Sequence, residues 1–561
     1  MFLNSKIKGA MVNRESFLTN IAASLTNHWD LPALTDYNSE TVTYGQIARQ
    51  IARLHIAFEV FDIKKGDKIS IVGRNSSNWG ISFLAAVTYG AVAVPILHEF
   101  TPENIHHIVN HSESKLLFTG KYILDSLDYA QMAGLEAIIL IDDCTVIKSG
   151  KVKVETAEKL FDELEQRRYP AGFMPQDIKY HNDKPEELAM ISYTSGTTGF
   201  SKGVMLPYRS LLSNMLFAET VLTGLKHGDN IVSILPLAHM YGLAFEFLYE
   251  IITGCHTYFL SRLPTPKIIL DAFASVKPRI IITVPLIVEK IFKKQLFPAI
   301  NKPFVRTALR LPLIDERILK RINQRLTDFF GGNFIEVIIG GAAFSPVAEK
   351  FLKRIGFKYT VGYGMTECGP IITYEDWTTV PLFSCGKAAP QMEIKIDSPD
   401  PENIPGEILT RGNNVMLGYY KNPEATKEAM AGGWLHTGDL GVIDKNGYLY
   451  IKGRSKNMLL GANGQNIYPE EIENRLNNTK YISESIVMDS YGKIVALAHP
   501  DHDAVSAENL SDSDLEELLD KARLEINTQL PPYSQISRIR IHTEEFEKTP
   551  KKSIKRYLYT K

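Results

Sequence analysis

Residues 189–203 read AMISYTSGTTGFSKG, and this stretch decides the fold of the chain around it. Its apolar start, residues 189–193, is typical of a buried strand. The part that follows is rich in glycine, serine and threonine and ends near Lys202. Glycines let backbone N–H groups turn toward an anion, hydroxyls add donors, and a lysine adds mobile positive charge. The stretch therefore predicts a polyphosphate-binding loop directly after a buried strand.

The predicted phosphate loop differs from a Walker loop, because no G-K-[ST] follows four residues after its first glycine. A flexible surface loop would explain the glycines and hydroxyls equally well. It would not explain a lysine after two spaced glycines at the end of an apolar strand. We assign phosphate binding to the following residues: Thr194, Ser195, Gly196, Thr197, Thr198, Gly199 and Lys202.

Short apolar runs alternate with helical stretches around this loop, up to about residue 450. Runs rich in valine and isoleucine, separated by helical stretches such as 210–222, indicate parallel strands covered on both faces. The apolar stretch 81–97 contains Gly90 and Pro95, so we predict a buried helix running into a strand and not a membrane span. The pattern predicts a multidomain α/β fold. Strands are predicted at 68–72, 115–118, 137–141, 189–193, 231–235, 280–284 and 334–339.

Two later regions have a different pattern of predicted strands and helices. Strand signals crowd together after Met392, and Lys445-Asn446-Gly447 is a tight-turn signal between two of them, which predicts a small β subdomain. The last 105 or so residues predict an independent α+β unit, because a chain of that length is large enough to fold alone. Its elements are a helix from Pro469, a hairpin of 484–488 with 493–498, a helix 514–530 and a strand 536–542.

Composition narrows the function classes. The 561 residues include 62 Lys+Arg and 64 Asp+Glu, a net charge of −2, so no field over the whole chain recruits nucleic acid or an anionic membrane. The four cysteines lie far apart without a C-x-x-C pair, which argues against a disulfide framework or a thiolate zinc site and favours a cytoplasmic protein. The N-terminus has no sustained apolar segment, so we expect neither a signal peptide nor an anchor.

The 189–203 stretch resembles the Y-T-S-G-T-T-G-x-P-K-G-V signature of acyl-adenylate-forming enzymes, with Ser201 in place of the usual proline. Further stretches match in the family's order: LPLAHMYG at 235–242, GGAA at 340–343, YGMTE at 363–367, WLHTGD at 434–439 and GRSK at 453–456. The chain is identified as a member of this superfamily, which includes acyl-CoA synthetases, luciferases and peptide-synthetase adenylation domains. It is most similar to the long-chain fatty acid–CoA ligases.

The resemblance implies an architecture. We expect a large N-terminal body, residues 1–455, of two αβα-type subdomains with a small β subdomain at about 385–455. A hinge leads to a mobile α+β C-terminal domain, residues 456–561. Residues of the body would bind ATP and the acyl group.

The resemblance also implies roles for single residues. His239 would line the carboxylate pocket and Thr366 would contact the α-phosphate, while Glu367 would hold magnesium. These three are the expected catalytic residues of the body. The remaining expected roles are adenine binding by Gly341, Ala342 and Tyr363, ribose binding by Asp439, a ribose or phosphate contact by Arg454, the hinge pivot at Lys456 and the thiol channel at Gly464.

A two-step reaction follows from the hinge. Acyl-AMP and pyrophosphate form first, and the C-terminal domain then rotates so that a thiol can attack the activated carbonyl. The expected cofactors and co-substrates are ATP, Mg²⁺ and CoA. Two anions meet in the first step, so positive charge from Lys202 and magnesium is needed at the triphosphate.

The C-terminal tail departs from the family. Long-chain acyl-CoA synthetases end in a pattern such as T-P-T-x-K-x-K-R, and aligning Thr549-Pro550 and Lys555-Arg556 places Ser553 at the catalytic lysine. Losing one such donor typically costs about 100- to 1000-fold in rate. We expect Lys551 or Lys552 to substitute as the catalytic lysine, with Lys555 as a third candidate. Because of this departure, the alternative that the protein is a pseudoenzyme, which binds a nucleotide or fatty acid without catalysing the reaction, stays open.

A histidine pair gives a second, weaker signal. His107 and His111 have the i, i+4 spacing of a helical metal site, but no carboxylate or cysteine nearby completes a ligand set. A partly exposed helix face explains the pair better than zinc does.

Two further sequence features concern the acyl group of the substrate. Residues 283–292, TVPLIVEKIF, resemble a segment of long-chain acyl-CoA synthetases, and Leu243, Phe245 and Phe247 are candidates for an apolar tunnel. We therefore expect an ATP-dependent fatty acid–CoA ligase for medium or long chains. Transfer to a carrier-protein thiol is the alternative within the enzyme class, while oligomeric state and peripheral membrane contact are left open.

Overall fold

The structure is a computed structural model that describes residues 12–194, 202–260, 265–292, 314–460, 465–490, 492–549 and 554–560. Strands and helices alternate through the first two thirds of the chain, as an α/β fold requires. The predicted helix-to-strand stretch at 81–97 is confirmed as a buried helix, Ser77–Tyr89, followed by a strand, Val92–Ile96. Within the described part of the chain, no helix is both long and apolar enough to cross a bilayer.

The strands of the described residues are numbered in chain order. They are β1 (Pro32–Asp36), β2 (Thr41–Thr43), β3 (Lys68–Val72), β4 (Val92–Ile96), β5 (Ser114–Thr119), β6 (Ala137–Leu140), β7 (Val146–Ser149), β8 (Leu188–Thr194), β9 (Lys202–Pro207), β10 (Asn230–Ser233), β11 (His256–Phe259), β12 (Ile281–Thr283), β13 (Val337–Ile339), β14 (Tyr359–Val361), β15 (Tyr363–Gly364), β16 (Ile371–Tyr374), β17 (Lys387–Ala388), β18 (Met392–Asp397), β19 (Gly406–Gly412), β20 (Gly418–Tyr419), β21 (Leu435–Ile443), β22 (Leu449–Arg454), β23 (Leu459–Leu460), β24 (Asn466–Ile467), β25 (Ile482–Ser490), β26 (Lys493–Pro500) and β27 (Arg538–Ile541).

The helices are numbered in the same way. They are α1 (Phe17–Asn27), α2 (Tyr44–Val60), α3 (Ser77–Tyr89), α4 (Pro102–Ser112), α5 (Lys121–Leu124), α6 (Val154–Arg168), α7 (Tyr208–Val221), α8 (Met240–Leu243), α9 (Tyr249–Thr253), α10 (Pro266–Val276), α11 (Pro285–Ile291), α12 (Ile314–Phe329), α13 (Pro346–Ile355), α14 (Pro423–Ala429), α15 (Pro469–Leu476), α16 (His502–Ala507) and α17 (Asp512–Asn527). A π-helical turn, Ala244–Leu248, joins α8 to α9.

The largest sheet has eight strands in the order β20-β9-β8-β4-β3-β5-β6-β7. Its centre, β8-β4-β3-β5-β6, is parallel, and antiparallel pairs close both sides. Strand β8 confirms the strand predicted before the phosphate loop. The chain returns from that loop directly as β9, and Thr194 pairs with Lys202 across the ladder. The two ends of the predicted loop are therefore fixed opposite each other.

Three smaller sheets accompany it in the described part of the body. In the order β10-β11-β1-β2, the first two strands of the chain join two strands that come about two hundred positions later. Strands β12-β13-β14 are parallel, and the glycine-rich turn follows β13. Strands β15-β16-β17 are antiparallel and carry the YGMTE stretch. Residues within or just after β10, β12, β13, β14, β15 and β16 line the same cleft, described below.

The two later regions fold as the sequence predicts. Strands β18-β19-β21-β22 form an antiparallel sheet, and the turn between β21 and β22 contains Gly447 at a φ of 85°. The last part of the chain pairs the hairpin β25-β26 with β27 and packs α15 and α17 against it. An α+β unit at the C-terminus is confirmed.

Two apolar cores stabilise the molecule. One contains buried residues from Val12 to Leu449, and the other contains buried residues from Ile467 to Ile536. Between them lies a short 3-10 turn, Ser455–Asn457, whose side chains are not part of either core. The domain limits 1–455 and 456–561 and the hinge at Lys456 stay predictions that agree with this separation.

Candidate active site

A single cleft of about 2550 Å³ collects the predicted site residues that the structure describes. Its walls come from the body, the β subdomain and the C-terminal unit. Residues far apart in sequence thus meet at one place, which the order of the motifs alone does not require. The predicted residues that line the cleft are Thr194, Lys202, His239, Gly341, Ala342, Tyr363, Thr366, Glu367, Asp439, Arg454 and Lys456.

Other predicted site residues lie outside the described part of the chain, so their placement stays a prediction. They are Ser195, Gly196, Thr197, Thr198 and Gly199 of the phosphate loop, Gly464, and Lys551 and Lys552 of the tail, together with Ser553.

Lys202 and Glu367 approach each other through Tyr419. The Lys202 Nζ lies 4.6 Å from the centroid of the Tyr419 ring, a cation–π contact. The Tyr419 hydroxyl donates to Glu367 Oε1 at 2.9 Å. Strand β20 places Tyr419 here by pairing with β9, the strand that Lys202 begins. The sequence analysis gave Tyr419 no role, because the pairing of β20 with β9 leaves no local sequence signal.

The turn that carries Thr366 and Glu367 is held tightly. It is a 3-10 turn, Thr366–Cys368, and the Glu367 carbonyl accepts from Met416 N at 2.8 Å. A Cβ on Gly364, just before it, would lie 2.3 Å from the Pro370 carbonyl oxygen, so only glycine fits. The carboxylate of Glu367 is buried at the cleft wall, which positions one anionic ligand near Lys202.

Asp439 sits between two partners. Its Oδ2 accepts from the Tyr363 hydroxyl at 2.7 Å, and its Oδ1 lies 3.0 Å from Arg454 Nε. Burial raises the pKa of Asp439, while Arg454 and the Tyr363 hydroxyl oppose that shift. Strand pairing sets this geometry, because Asp439 and Arg454 are opposite each other in β21 and β22. Arg454, which was predicted to contact ribose or phosphate, here forms an ion pair with Asp439, the residue predicted to bind ribose.

Glu407 supports the segment that presents Asp439. Its Oε2 lies 2.8 Å from His436 Nδ1, and its Oε1 accepts from Gly438 N at 2.9 Å. Both bonds cross from β19 to β21, so the carboxylate fixes the turn before Asp439. The sequence analysis gave Glu407 no role, because the pairing of β19 with β21 that brings it to Gly438 leaves no local sequence signal.

The segment before His239 is positioned by two polar side chains, the half-buried Asn75 and the buried Glu246. Asn75 donates to the Leu235 carbonyl at 2.6 Å and accepts from Leu237 N at 2.8 Å. Glu246 accepts from Leu235 N at 2.9 Å and from two groups of the preceding residues. Burial raises the pKa of Glu246 well above its ordinary value. The sequence analysis did not find either residue, since neither lies in a recognisable motif.

Part of the cleft lining is apolar, and we call this part the apolar branch. Phe245 belongs to it as predicted, but Phe247 and Leu243 do not: Phe247 packs in the core against Gly80 and lies 6.2 Å from Phe259, measured between ring centroids. Phe245 and Phe247 are both in the helical turn Ala244–Leu248, and residues two positions apart in a helix point to nearly opposite sides. Buried side chains lining this branch are Phe217, Leu222, Ile234, Phe245, Ile282, Ile338 and Tyr374.

The histidine pair has a structural role in the described chain. The His107 and His111 rings stack at 5.6 Å, and His111 Nδ1 lies 2.7 Å from the hydroxyl of Tyr193, near the end of β8. Across the described residues, no group of three or more His, Cys, Asp or Glu side chains has the arrangement of a metal site. His111 thus contacts the strand that leads into the phosphate loop.

The tail reaches the same cleft. Thr549, Lys555 and Arg556 line it together with Lys202 and Thr366. Lys555, the one tail lysine candidate within the described residues, forms an ion pair with Glu547 at 3.2 Å. The Glu547 side chain of this pair is 64% exposed, and an exposed ion pair contributes little, so the pairing does not exclude Lys555 as the catalytic lysine.

Comparison with protein families identifies the class. A model of AMP-binding enzymes matches residues 21–420, and a model of the AMP-binding enzyme C-terminal domain matches residues 456–561. The chain therefore belongs to the AMP-binding enzyme family.

Three individual relatives are long-chain acyl-CoA synthetases or ligases by name. Long chain acyl-CoA synthetase 6, peroxisomal, of Arabidopsis thaliana is 29% identical over 529 residues, covering 86% of this chain and 72% of the relative. A long-chain-fatty-acid–CoA ligase of Escherichia coli O6:H1 is 26% identical over 483 residues, covering 82% and 80%. Long-chain-fatty-acid–CoA ligase 6 of Homo sapiens is 28% identical over 538 residues, covering 85% and 74%.

Solved structures confirm the fold. The crystal structure of the anthranilate CoA ligase AuaEII in complex with anthranoyl-AMP superposes with a TM-score of 0.79 at 20% identity, covering 98% of each chain. ATP-bound MatB from Rhodopseudomonas palustris superposes with a TM-score of 0.74 at 22% identity, covering 96% of this chain and 97% of that one.

Proposed function

We propose that this protein is an ATP-dependent fatty acid–CoA ligase for medium or long chains. The observation that carries the proposal is one cleft lined by the predicted triphosphate, ribose, adenine and carboxylate residues, with an apolar branch beside them. In the first step a fatty acid carboxylate oxygen attacks the α-phosphorus of ATP and pyrophosphate leaves. In the second step the CoA thiol sulfur attacks the acyl carbonyl carbon, AMP leaves, and the thiol proton passes to solvent.

The triphosphate end of the cleft supplies positive charge and donors. Lys202 and Thr366 line it, and Lys202 is held over the Tyr419 ring, so its charge is available at the wall where phosphates would lie. Charge developing on the α-phosphate and on leaving pyrophosphate is stabilised best by groups already in place. Lys202 is therefore assigned to the phosphates.

The residues present fit a magnesium ion. Mg²⁺ is usually bound by one or two carboxylates together with substrate phosphates and waters, and Glu367 presents one buried carboxylate at the cleft wall. Glu367 would hold the ion, which when bound offsets the negative charge of the phosphates. Tyr419 keeps this carboxylate oriented through its 2.9 Å hydrogen bond.

The nucleoside end uses Asp439, Tyr363 and the glycine-rich turn. Asp439 would accept from the ribose hydroxyls, and adenine would lie between Tyr363 and the turn at Gly341 and Ala342. Arg454 pairs with Asp439; the Arg454 side chain is 65% exposed, whereas that of Asp439 is 9% exposed. Ribose hydroxyls would share the buried carboxylate with Arg454, because an ionised carboxylate has several acceptor sites.

The acyl chain is assigned to the apolar branch. Its buried aromatic and aliphatic walls suit a hydrocarbon tail and offer few partners for a polar one. His239 immediately precedes α8 and lines the same cleft as this branch and Lys202. We assign His239 to orienting the fatty acid carboxylate.

The C-terminal domain, residues 456–561, is proposed to serve both steps. The tail, which carries Lys551 and Lys552, would supply the lysine of the first step, and rotation about Lys456 would bring Gly464 to the thiol channel of the second.

The reaction is assigned to the cytoplasm, consistent with four free cysteines. Fatty acid, ATP and CoA are small-molecule partners, and peripheral contact with a membrane would serve to collect the fatty acid.

One experiment tests the proposal. Purified protein is incubated with ATP, Mg²⁺ and a panel of carboxylic acids from acetate to long-chain fatty acids, with CoA, with a holo carrier protein, or with neither. We expect pyrophosphate release that depends on a medium- or long-chain acid, and acyl-CoA as the product. If the acyl group is transferred only to the carrier protein, then the carrier-protein thiol, and not CoA, is the acceptor of the second step. Nucleotide binding without pyrophosphate release for any acid would identify the pseudoenzyme.

A further inference from the structure

Strand β13 lies along the apolar branch and leads from the glycine-rich turn back to a buried carboxyl group. Its ladder extends one residue beyond each end, because Ile281 N donates to the Glu336 carbonyl at 3.3 Å and Gly340 N donates to the Thr283 carbonyl at 3.0 Å. Side chains two positions apart in an extended strand point to the same face. Glu336, Ile338 and Gly340 therefore share one face of β13. Ile338 and Gly340 line the cleft, whereas Glu336 does not.

Tyr374, the last residue of β16, lies over this carboxyl group. Its hydroxyl donates to Glu336 Oε2 at 2.6 Å, and Trp377 N donates to Glu336 Oε1 at 3.0 Å. Tyr374 lines the cleft and is 8% exposed, while Glu336 behind it is 3% exposed. The tyrosine thus separates the apolar branch from the carboxyl group at the far end of β13.

The Tyr374 ring is held from a second side. Its centroid lies 5.5 Å from that of Phe217 in an edge-to-face arrangement, and the Phe217 centroid lies 5.9 Å from that of Phe245. All three rings line the apolar branch. Because the hydroxyl is bonded to a buried acceptor, the ring cannot swing aside without leaving that acceptor short of a partner, which costs free energy.

The fatty acid carboxylate is assigned to the opposite end of the branch. A Cβ on Gly340 would lie 3.1 Å from the Tyr241 ring, and Tyr241 is two residues after His239. A hydrocarbon chain that starts at His239 and follows Ile338 would meet the Tyr374 ring before it could reach Glu336. A longer chain would have to press apolar carbons against a buried, hydrogen-bonded carboxyl group, which offers it no favourable contact.

We propose that Tyr374, held by Glu336, is the stop of the apolar branch and a specificity-determining residue that sets the upper limit of fatty acid chain length. This inference rests on the proposed function, because it says which fatty acids the same site accepts. One methylene that gains or loses room in an apolar pocket changes discrimination by about 10- to 200-fold. The size of the side chain at position 374 should therefore control the chain-length profile.

The test compares chain-length profiles. Tyr374→Ala, Tyr374→Leu and Tyr374→Phe are assayed with ATP, Mg²⁺ and saturated acids from octanoate to eicosanoate, and kcat/KM for ATP–pyrophosphate exchange is measured acid by acid. In Tyr374→Ala and the milder Tyr374→Leu, acids just longer than the wild-type limit should gain about 10- to 100-fold relative to the acid that the wild type uses best. Tyr374→Phe keeps the ring and its packing on Phe217, so it should keep the wild-type limit. An unchanged limit in both shortened variants would overturn the proposal, as would a limit in Tyr374→Phe that moves as far as in Tyr374→Ala.

A variant of opposite effect tests the direction of the branch. Ile338 is two positions nearer the glycine-rich turn on the same face of β13, so Ile338→Phe adds bulk before the stop. It should move the limit to shorter acids. A limit that stays in place or moves to longer acids would contradict the proposed course of the chain.

A matched control removes a tyrosine elsewhere. Tyr89 of α3 is half-buried, its hydroxyl donates to the Ile63 carbonyl at 3.0 Å, and it does not line the cleft. Tyr89→Ala loses the same ring and a similar hydrogen bond, and it should keep the wild-type limit. A shift equal to that of Tyr374→Ala would show a general effect of lost packing and overturn the proposal.

Binding measured without turnover separates this inference from the proposed function. Calorimetric titration with acyl-sulfamoyl adenosines, stable analogues of acyl-AMP carrying decanoyl to eicosanoyl chains, gives a Kd for each length. Tyr374→Ala should bind the longer analogues more tightly relative to the shorter ones than the wild type does. If the wild type releases no pyrophosphate with any acid, the proposed function fails, while this shift in Kd would still establish the stop. If the wild type forms acyl-AMP but the two Kd profiles coincide, the stop is overturned and the proposed function stands. Failure of every analogue to bind would overturn both.

Discussion

At the scale of single residues, Glu367 is held by a neighbour that also contacts the phosphate-binding lysine. Tyr419 donates to Glu367 and lies under Lys202, so one ring orients both an anionic and a cationic group. The carboxylate and the ammonium stay apart at the cleft wall, where each can act on the triphosphate. Charge placement at this wall thus depends on a side chain that never needs to touch substrate.

Substitutions at Glu367 and Tyr419 separate the binding of magnesium from the orientation of the carboxylate that binds it. Glu367→Gln should lower pyrophosphate exchange by about 100- to 1000-fold, because the amide loses the charge that holds magnesium. Tyr419→Phe keeps the ring under Lys202 but removes the hydrogen bond, so the loss should be smaller and accompanied by a higher magnesium requirement. Exchange rates over a magnesium titration measure both.

The adjacent tyrosine provides the control for this pair. The Tyr420 hydroxyl donates to the exposed Glu113 at 3.0 Å, outside the cleft, so Tyr420→Phe should leave exchange unchanged. A Glu367→Gln variant with wild-type exchange would contradict the assignment of magnesium to this carboxylate.

A buried carboxyl group predicts a pH dependence of stability. Both carboxyl oxygens of Glu250 are buried without a hydrogen-bond partner among the described residues, and burial raises the pKa of Glu250 from 4.5 to about 8. Because the folded-state pKa is the higher one, its contribution to stability is full below pH 4.5 and is lost as the pH rises through about 8. Glu250→Gln should therefore flatten the fall in the free energy of unfolding across this window.

Chemical denaturation of the body at several pH values measures the effect. The exposed Glu402 is the matched control, and Glu402→Gln should keep the wild-type slope. Identical slopes for wild type and Glu250→Gln would show that the carboxyl group does not titrate in this window.

At the scale of elements, the β15–β16 turn is the most constrained part of the site. Gly364 pairs with Ile371, and the Met365 N–H donates to the Pro370 carbonyl at 2.9 Å, so the turn closes within a few residues. The side chains on either side of it, Tyr363 and Thr366, are assigned to adenine and phosphate. Movement of this turn would displace both ends of the nucleotide.

Adding one methyl group tests the constraint. Gly364→Ala would place a Cβ 2.3 Å from the Pro370 oxygen, so we expect about 1–3 kcal/mol of destabilisation and a loss of exchange of about 100-fold. Gly362→Ala is the matched control, because its nearest neighbour would be 3.6 Å away, an ordinary contact. Melting temperature and exchange rate report the two effects. A Gly364→Ala variant as active as Gly362→Ala would contradict this account of the turn.

The elements also show what the sequence could and could not predict. Strand β8 and helix α17 were predictable because their apolar spacing is local. The contact of Tyr419 with Glu367 and the joining of β1 to β11 were not, because they depend on strand pairing between distant segments. Positions in family motifs came together as predicted, whereas supporting residues such as Asn75 lie outside any motif. Phe247 was misplaced because it lies two positions from Phe245 in a helical turn, and such residues point to nearly opposite sides of the helix.

At the scale of the whole molecule, two apolar cores share one cleft. The link between them is the 3-10 turn Ser455–Asn457, and neither core includes it. A contact across the gap, from Ser345 Oγ to Asn478 Oδ1 at 2.5 Å, joins the body to the C-terminal unit in this orientation. The second step of the proposed reaction needs the C-terminal unit to move, and we propose this turn as the place where it moves.

Restricting the turn tests the rotation. Proline fixes φ near −65°, a value compatible with the first residue of a 3-10 turn, and Arg454 before it is already extended, so Ser455→Pro should preserve the present orientation and resist others. We expect acyl-AMP formation within a few-fold of wild type and a strong loss of acyl transfer to CoA. Ser455→Ala is the control for the side chain alone. Equal loss of both half-reactions would place the rotation elsewhere or remove it.

The measurement that tests the central claim most directly is a single-turnover reaction of the full chain with oleate, ATP and Mg²⁺, analysed by mass spectrometry before and after CoA is added. The account predicts oleoyl-AMP and pyrophosphate before the addition, and oleoyl-CoA with AMP after it. Absence of oleoyl-AMP at saturating ATP, with nucleotide still bound in the cleft, would contradict it.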